Sequence, residues 1–222
     1  GVRLVSVLAA TVTAILLVRI GRQMNAPLVG FTAGLVFIAS PMASRYAQEA
    51  RPYALVTCMA TASTLALLQA CQTPWRRRRW VVYALMLSAT ALFNVLGLNI
   101  VFVHAIHVLT SAKGQIRRVW AITLTGTLLV LMPFVIGTVT QRGQVSWLTV
   151  PPWTELRRFF FTEYQPWKLV VFILLAAVLL RPMGTHREAL SLGFAWAVVP
   201  PTVLWLVSQV HPLFAMRYVV IS

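Results

Sequence analysis

The sequence contains no aspartate, and its only acidic residues are Glu49, Glu155, Glu163 and Glu188. Charged residues make up 10% of the 222 positions, whereas an average soluble domain has roughly 25%. This shortage of charge excludes a soluble globular protein. It also means that acid or base catalysis by a carboxylate of this sequence has to use a glutamate.

Cysteine is scarce as well, because the chain has only Cys58 and Cys71. Both fall in one predicted helix, where a rise of about 1.5 Å per residue separates their backbones by about 20 Å. A disulfide requires Cα atoms within about 7 Å of each other. The two cysteines therefore do not pair, and they indicate nothing about the redox compartment.

Two widespread catalytic motifs are also missing from the sequence. It has no glycine-rich phosphate-binding loop and no Gly-x-Ser-x-Gly elbow. The first motif is typical of ATP-driven enzymes, and the second is typical of serine hydrolases of the α/β class. Neither class is supported.

Long apolar runs dominate what is present, since 59% of the residues are hydrophobic. A membrane-spanning helix takes about 20 apolar residues, with a range of roughly 17 to 25. The runs are apolar on every side and do not alternate in polarity as the strands of a membrane barrel do. The sequence therefore predicts an all-α, polytopic transmembrane helix bundle of about eight spans, at residues 2–18, 27–43, 52–70, 80–94, 97–111, 119–139, 168–181 and 189–207.

Two of these spans come from one long apolar run between Trp80 and Thr110. Asn94, Gly97 and Asn99 in its middle favour a tight turn, so we divide the run there. The whole chain, residues 1–222, is expected to form a single transmembrane domain. Because it opens on glycine and stops inside the apolar sequence YVVIS, we interpret it as an internal fragment of a longer protein.

Basic residues outnumber acidic ones by nineteen to four, which gives a net charge of +15. They collect in the short loops between apolar runs, so we expect anionic membrane lipid as their partner and no nucleic acid. Alternation of the spans puts eleven of them on one side, predicted to be cytoplasmic, and eight on the other. The eleven are Arg19, Arg22, Arg76, Arg77, Arg78, Arg79, Lys113, Arg117, Arg118, Arg181 and Arg187.

Two loops on the predicted exterior side differ from the others. The first, about residues 44–51, lies within the polar segment SPMASRYAQEARP, and the second, residues 140–167, is rich in Trp, Phe and Pro. Within the second loop, TELRRFFFTEY is predicted to form a helix in the plane of the membrane surface. The alternative interpretation is anchoring alone, because aromatic residues gather at membrane interfaces in general.

The first loop carries residues suited to binding an anion. Pro52 is expected to open the next span, which puts Arg51 at a helix N-terminus, where unpaired N–H groups and an arginine together favour a phosphate. Arg45 and Glu49 are four residues apart and share one face if the segment is helical. The alternative is an interfacial ion pair between them, worth under about 1 kcal/mol and without a catalytic role.

Three stretches resemble a known family: RLVSVLAATVTAILLVRIGRQM, AGLVFIASPMASRYAQEARPYAL and the closing HPLFAMRYVVIS. They are similar to the membrane domain of family 39-type glycosyltransferases, the protein mannosyltransferase-like enzymes of the GT-C class. The most specific part is YAQEARPYA. The resemblance implies a GT-C fold and transfer of mannose or a related hexose or pentose from a polyprenyl-phosphate donor. The acceptor would be a protein, lipid or glycan on the exterior face of a bacterial plasma membrane.

The resemblance also implies roles for particular residues. Its second exterior loop lies near donor and acceptor, and its late Arg-Tyr pair could neutralise the lipid phosphate as the sugar leaves. Glu49 is expected to be a second catalytic acid, since the family's main acid lies in an earlier loop that this chain lacks, so the fragment alone is expected to be inactive. A divalent metal cofactor is left open, with no ligand assigned. The implied binding residues are Arg45, Arg51 and Arg217 for the donor phosphate, and Tyr46, Tyr53, His211 and Tyr218 for substrate.

Two other interpretations stay open at this point. In a transporter or lipid flippase the exterior charges would line a passage, and in a noncatalytic subunit the helices would only pack against partners. A transporter usually has ionisable residues at midplane depth, and here only His104 and His107 qualify. Their spacing of three could serve a metal, but a polar contact between packed helices is favoured.

Overall fold

The computed structural model describes residues 2–40, 52–140, 150–161 and 187–210. All regular secondary structure in these residues is helical, which confirms the all-α prediction for this part of the chain. The helices are α1 (Val2–Gln23), α2 (Pro27–Ala39), α3 (Tyr53–Gln72), α4 (Arg77–Phe93), a 3-10 helix (Val95–Asn99), α5 (Ile100–Ser111), α6 (Gly114–Thr140), α7 (Trp153–Phe161) and α8 (Arg187–Ser208).

Four helices of the described part, α1, α3, α6 and α8, are long and apolar enough to cross a membrane. The α2 helix and the Val95–Ser111 segment are apolar but shorter. The predicted turn between two spans is present, because the 3-10 helix separates α4 from α5. The predicted span at 168–181 lies outside the described residues.

Several helices extend further than the apolar runs predicted. The α1 helix continues to Gln23 rather than ending at residue 18, and α6 begins at Gly114 rather than at residue 119. Both extensions carry arginines, whose long side chains let the backbone stay helical while the guanidinium reaches the polar boundary. Apolar runs therefore mark only the inner part of these helices.

The α1 and α2 helices form a closely packed hairpin. A Cβ atom placed on Gly30 would lie 2.7 Å from the Gly21 Cα and 2.8 Å from the Leu17 carbonyl oxygen. Gly34 faces the Ala14 carbonyl oxygen in the same way, at 3.1 Å. Small residues at four-residue spacing allow helix backbones to approach this closely within membranes. Glycine at position 30 is thus required by the distance between the two backbones.

The α3 helix is the centre of the bundle and contacts α1, α4 and α5. Most of its residues are buried, including Val56, Leu67 and Leu68. Its buried hydroxyl groups donate to carbonyl oxygens of the preceding helical turn, as Thr61 does to Thr57 at 2.8 Å. These bonds satisfy the hydroxyls inside α3, so the helix can carry several of them in an apolar interior.

The helix ends gather into two groups, which we call the basic end and the opposite end. At the basic end, the last turns of α1, α3 and α5 meet the first turns of α6 and α8. The described members of the predicted cytoplasmic group of basic residues lie here, as the alternation of spans requires. The opposite end includes residues 52–56, 94–99, 150–157 and 205–210, which are joined to one another by contacts.

Two arginines at the basic end cap the helix that precedes their own. Arg79 of α4 donates from Nη1 to the Gln69 carbonyl oxygen in the last turn of α3, at 2.7 Å. Arg117 of α6 donates from Nη2 to the Leu109 carbonyl oxygen in the last turn of α5, also at 2.7 Å. A cation at a helix C-terminus is stabilised by the carbonyl dipoles there. These arginines therefore close the α3–α4 and α5–α6 hairpins.

Candidate functional site

Seven of the predicted site residues lie outside the described part of the chain: Arg45, Tyr46, Glu49, Arg51, His211, Arg217 and Tyr218. The eighth, Tyr53, is the first residue of α3 and is half-buried at the opposite end. Pro52 immediately precedes this helix, so the predicted helix start is confirmed to within one residue. The SRYAQEARPY segment therefore leads directly into the N-terminus of the most buried helix of the described bundle.

The turn between α4 and α5 is tightly packed at the opposite end. The Asn94 side chain accepts a hydrogen bond from the Leu96 backbone N–H at 3.0 Å, which starts the 3-10 helix. Gly97 is buried against the neighbouring helices, and a Cβ there would lie 2.8 Å from the Thr90 Cγ2 and 2.9 Å from the Val56 Cγ1. Asn94 and Gly97, two of the turn residues predicted from sequence, thus determine where α4 ends and α5 follows.

Asn99 joins the same turn to α8. Its Nδ2 donates to the Pro200 carbonyl oxygen at 2.6 Å, while its Oδ1 is buried without a hydrogen-bond partner. Pro200 and Pro201 lack N–H groups, so α8 cannot make two of its backbone hydrogen bonds at this level. The Asn99 hydrogen bond therefore links the α4–α5 turn to α8 at the level where α8 has fewer backbone hydrogen bonds of its own.

The α7 helix packs on the last turns of α8. The Trp153 and Trp205 rings meet edge to face with centroids 5.5 Å apart, and Trp205 Nε1 donates to the Pro152 carbonyl oxygen at 3.4 Å. Gln209 Nε2 donates to the Pro151 carbonyl oxygen at 3.1 Å. The helix predicted within TELRRFFFTEY is therefore present, and its placement in the membrane plane stays a prediction.

We expect Trp205→Ala to loosen α7 without unfolding the bundle. An edge-to-face aromatic pair contributes about 0.5–1.5 kcal/mol beyond its buried area, and the contact with Pro152 is lost as well. Tryptic cleavage after Arg157 should therefore become faster in purified protein. Trp75→Ala is the matched control, because Trp75 is exposed at the basic end. Equal cleavage rates in wild type and Trp205→Ala would show that this ring does not hold α7.

A chain of buried polar side chains connects four helices in the middle of the bundle. Trp120 Nε1 donates to the Tyr83 hydroxyl at 3.2 Å, and this hydroxyl lies 3.2 Å from His104 Nδ1. His104 Nε2 lies 3.0 Å from the Thr64 hydroxyl, which is 3.0 Å from the Ala60 carbonyl oxygen. His104 itself is fully buried. We call this set of side chains the His104 chain.

The directions of the donors are consistent along the whole His104 chain. Because the Thr64 hydroxyl donates to a carbonyl, it accepts from His104 Nε2–H, which leaves Nδ1 as the acceptor for the Tyr83 hydroxyl. One neutral tautomer therefore satisfies every group. The favoured interpretation of His104, a polar contact between packed helices, is confirmed.

The sequence did not reveal the partners of His104. Thr64, Tyr83 and Trp120 lie on three other helices, and nothing in their spacing distinguishes them from apolar neighbours. Only His104 could be identified from the sequence as a candidate polar group of the bundle interior, because it is an ionisable residue inside a predicted span. Among the described residues, no group of three or more His, Cys, Asp or Glu side chains is arranged to hold a metal ion.

The basic end contains a cavity of about 240 Å³. It lies between five helix termini and is reached by side chains from α1, α3, α5, α6 and α8. We call it the basic-end cavity. Its lining residues are Gln23, Met24, Asn25, Leu68, Cys71, Gln72, His107, Ser111, Ala112, Ile116 and Glu188.

Comparison with protein-family models, with curated proteins and with solved structures finds no match to this chain. The glycosyltransferase resemblance therefore depends on the sequence stretches themselves, above all YAQEARPYA. Of that segment, the described structure contains Pro52, Tyr53 and Ala54 at the start of α3.

Proposed function

We propose that this protein is an integral membrane glycosyltransferase that moves a sugar from a polyprenyl-phosphate donor to an acceptor at the opposite end of the bundle. The observation that carries the proposal is the continuity between YAQEARPYA and α3. Arg51 directly precedes Pro52, and α3 begins at Tyr53. An arginine and a helix N-terminus therefore coincide at one point of the chain.

This coincidence suits the chemistry of a lipid-phosphate donor. When the sugar leaves, negative charge grows on the phosphate oxygens, and fixed donors that already point at that position stabilise the transition state. The N–H groups in the first turn of α3 and the planar guanidinium of Arg51 would be the donors of this kind in the proposed site. Arg217 supplies a second cation in the proposed site, and Glu49 supplies a carboxylate for acceptor or proton binding.

The packing of α3 supports a rigid site. Near the N-terminus of the helix, Ala54, Val56 and Thr57 are already buried. Because α3 is clamped by α1, α4 and α5, its first N–H groups have a fixed direction. A preorganised donor does not need to reorient during the reaction, which is what makes such a donor effective.

The transporter interpretation is less well supported by the described helices. A passage for a polar substrate needs ionisable groups at midplane depth that can bind and release it. His104 is the fully buried histidine of these helices, yet both of its ring nitrogens are hydrogen-bonded to neighbouring side chains. Arg22, Arg117 and Glu188 lie within the first or last turns of their helices, and Arg19 lies in the turn before the last turn of α1.

The test is transfer of radiolabelled sugar from polyprenyl-phosphate donors, with the full-length protein in membranes. We expect Arg51→Ala and Arg217→Ala each to lower the rate about 10²-fold or more, the effect of losing one donor to a developing oxyanion. Glu49→Gln should also slow transfer. Arg78→Ala is the matched control, since Arg78 is exposed at the basic end. Rates equal to wild type in all three variants would refute the proposed site.

Failure of the wild type to transfer sugar has a different meaning. If the protein binds or moves the donor lipid but transfers nothing from several donors, the enzyme proposal is wrong and the flippase interpretation replaces it. Expression levels of all variants are compared in the same membranes, so that a folding defect is not counted as a loss of activity.

A further inference from the structure

The basic-end cavity lies at the end of the bundle away from the proposed transferase site. Part of its lining is polar and includes the carboxamide residues Gln23, Asn25 and Gln72. Gln72 Nε2 donates to the Gln23 backbone carbonyl at 3.2 Å, and the two side-chain amides are hydrogen-bonded to each other. This pair links the last turns of α1 and α3 and holds one wall of the cavity in place.

Other lining groups add hydrogen-bonding capacity of both kinds. Ser111 contributes a hydroxyl, His107 an imidazole and Glu188 a carboxylate. Carboxamide, carboxylate and imidazole groups together can both donate to and accept from hydroxyl groups. The lining therefore suits a ligand with several hydroxyls, such as a polyol.

Apolar side chains form another part of the wall, namely Met24, Leu68 and Ile116. The volume of about 240 Å³ is below the roughly 300–1,000 Å³ of sites that enclose a drug-sized ligand. A cavity of this size takes a small headgroup, and its lining offers both polar and apolar contacts. This combination is typical of a site for one end of an amphiphile.

The charge around the cavity is positive. Arg22 and Lys113 are exposed and are joined in sequence to the lining residues Gln23 and Ala112. Basic pockets between helix ends at this depth bind the headgroups of anionic lipids.

We infer that the basic-end cavity binds the headgroup of an anionic phospholipid that carries free hydroxyls, with the polyol inside the cavity and the phosphate at Arg22 and Lys113. Glu188, Gln72 and Ser111 bind the hydroxyls. The acyl chains follow the apolar wall into the bilayer. This site is independent of the proposed transferase activity, which uses the opposite end of the bundle.

Cys71 provides a built-in probe, because it lines the cavity and is half-buried. We use Cys58→Ala protein in nanodiscs of phosphatidylcholine that also contain phosphatidylglycerol or phosphatidylserine. The two lipids have the same net charge, but only phosphatidylglycerol has a free polyol. We expect phosphatidylglycerol to slow maleimide labelling of Cys71 about tenfold, while phosphatidylserine leaves the rate near that in phosphatidylcholine. Gln72→Leu should remove the protection, and Gln209→Leu at the opposite end should not.

Three results would overturn the inference. If both anionic lipids slow the labelling of Cys71 equally, the labelling rate depends on surface charge and not on the hydroxyls of the headgroup. Labelling that no lipid slows would mean that no headgroup enters the cavity. Equal protection by water-soluble glycerol 1-phosphate in phosphatidylcholine discs would identify a free polyol phosphate as the ligand. If the Cys58→Ala protein does not fold, retention of phosphatidylglycerol over phosphatidylserine by the wild type in native mass spectrometry decides the same question.

Discussion

Replacing Gly30 with leucine is expected to separate α1 from α2 and to leave little folded protein. Even the single Cβ of alanine would lie 2.7 Å from the Gly21 Cα and 2.8 Å from the Leu17 carbonyl oxygen. Both are backbone atoms of the facing helix, so they cannot move aside as a flexible side chain can. Overpacking typically destabilises a core by about 1–3 kcal/mol. We expect Gly30→Ala to fall in that range and Gly30→Leu to exceed it.

The measurement is the temperature at which purified protein in detergent loses its monodisperse elution peak. Gly126→Leu is the matched control, because Gly126 also lies inside a long apolar helix but nothing is within 4 Å of a Cβ placed there. The control should keep the wild-type temperature. If Gly30→Leu and Gly126→Leu behave alike, the close approach of α1 and α2 does not contribute to stability.

The second large effect is expected in the His104 chain. Tyr83→Phe leaves His104 Nδ1 without its donor and Trp120 Nε1 without its acceptor, and both groups are in apolar surroundings. His104→Phe leaves the Tyr83 hydroxyl without its acceptor. Leaving one buried polar group unpaired costs about 1–3 kcal/mol, whereas removing both partners of a bond is nearly neutral. Each single variant should therefore be clearly destabilised.

The double variant distinguishes a hydrogen bond from simple packing. Hydrogen bonds between membrane helices show coupling energies of about 0.6 kcal/mol on average and about 1.7 kcal/mol at most. We expect the His104–Tyr83 coupling to reach the upper part of that range, because the bond is one link of a fully satisfied chain. It is measured by equilibrium unfolding of the wild type, both single variants and the double variant in mixed detergent.

A control cycle uses His104→Phe with Trp205→Ala, two residues that share no partner among the described contacts. Their effects should add within about 0.5 kcal/mol. Additivity in the His104–Tyr83 cycle as well would mean that the observed geometry does not contribute to the free energy of unfolding.

The sequence was sufficient to predict most of the helices, for a simple physical reason. An apolar run of about 20 residues has few alternatives to a helix when its backbone cannot hydrogen-bond to water. The turn at Asn94, Gly97 and Asn99 was predictable too, because these residues interrupt an otherwise continuous apolar run. Helix ends such as Gln23 were less predictable, since arginines extend a helix without extending its apolar stretch.

Contacts between helices could not be predicted from one sequence. Gly30 and Gly34 have the spacing of a close-packed helix, but spacing does not identify α1 as the partner. Likewise, the hydrogen bond between Tyr83 and His104 depends on how α4 and α5 are rotated about their axes. The candidate transferase residues remain sequence-based predictions, with Tyr53 placed at the opposite end by the structure.

The arginine caps of the hairpins have a consequence for how this protein is made. A positive charge beside a span instructs the insertion machinery which flank to retain, and Arg79 and Arg117 belong to the group expected to give that instruction. The same guanidiniums later bond to the Gln69 and Leu109 carbonyl oxygens. If the basic end is cytoplasmic as predicted, Arg79 and Arg117 would act twice. They would help to orient a newly made hairpin, together with neighbouring arginines such as Arg78 and Arg118, and they would afterwards cap the helix that precedes their own.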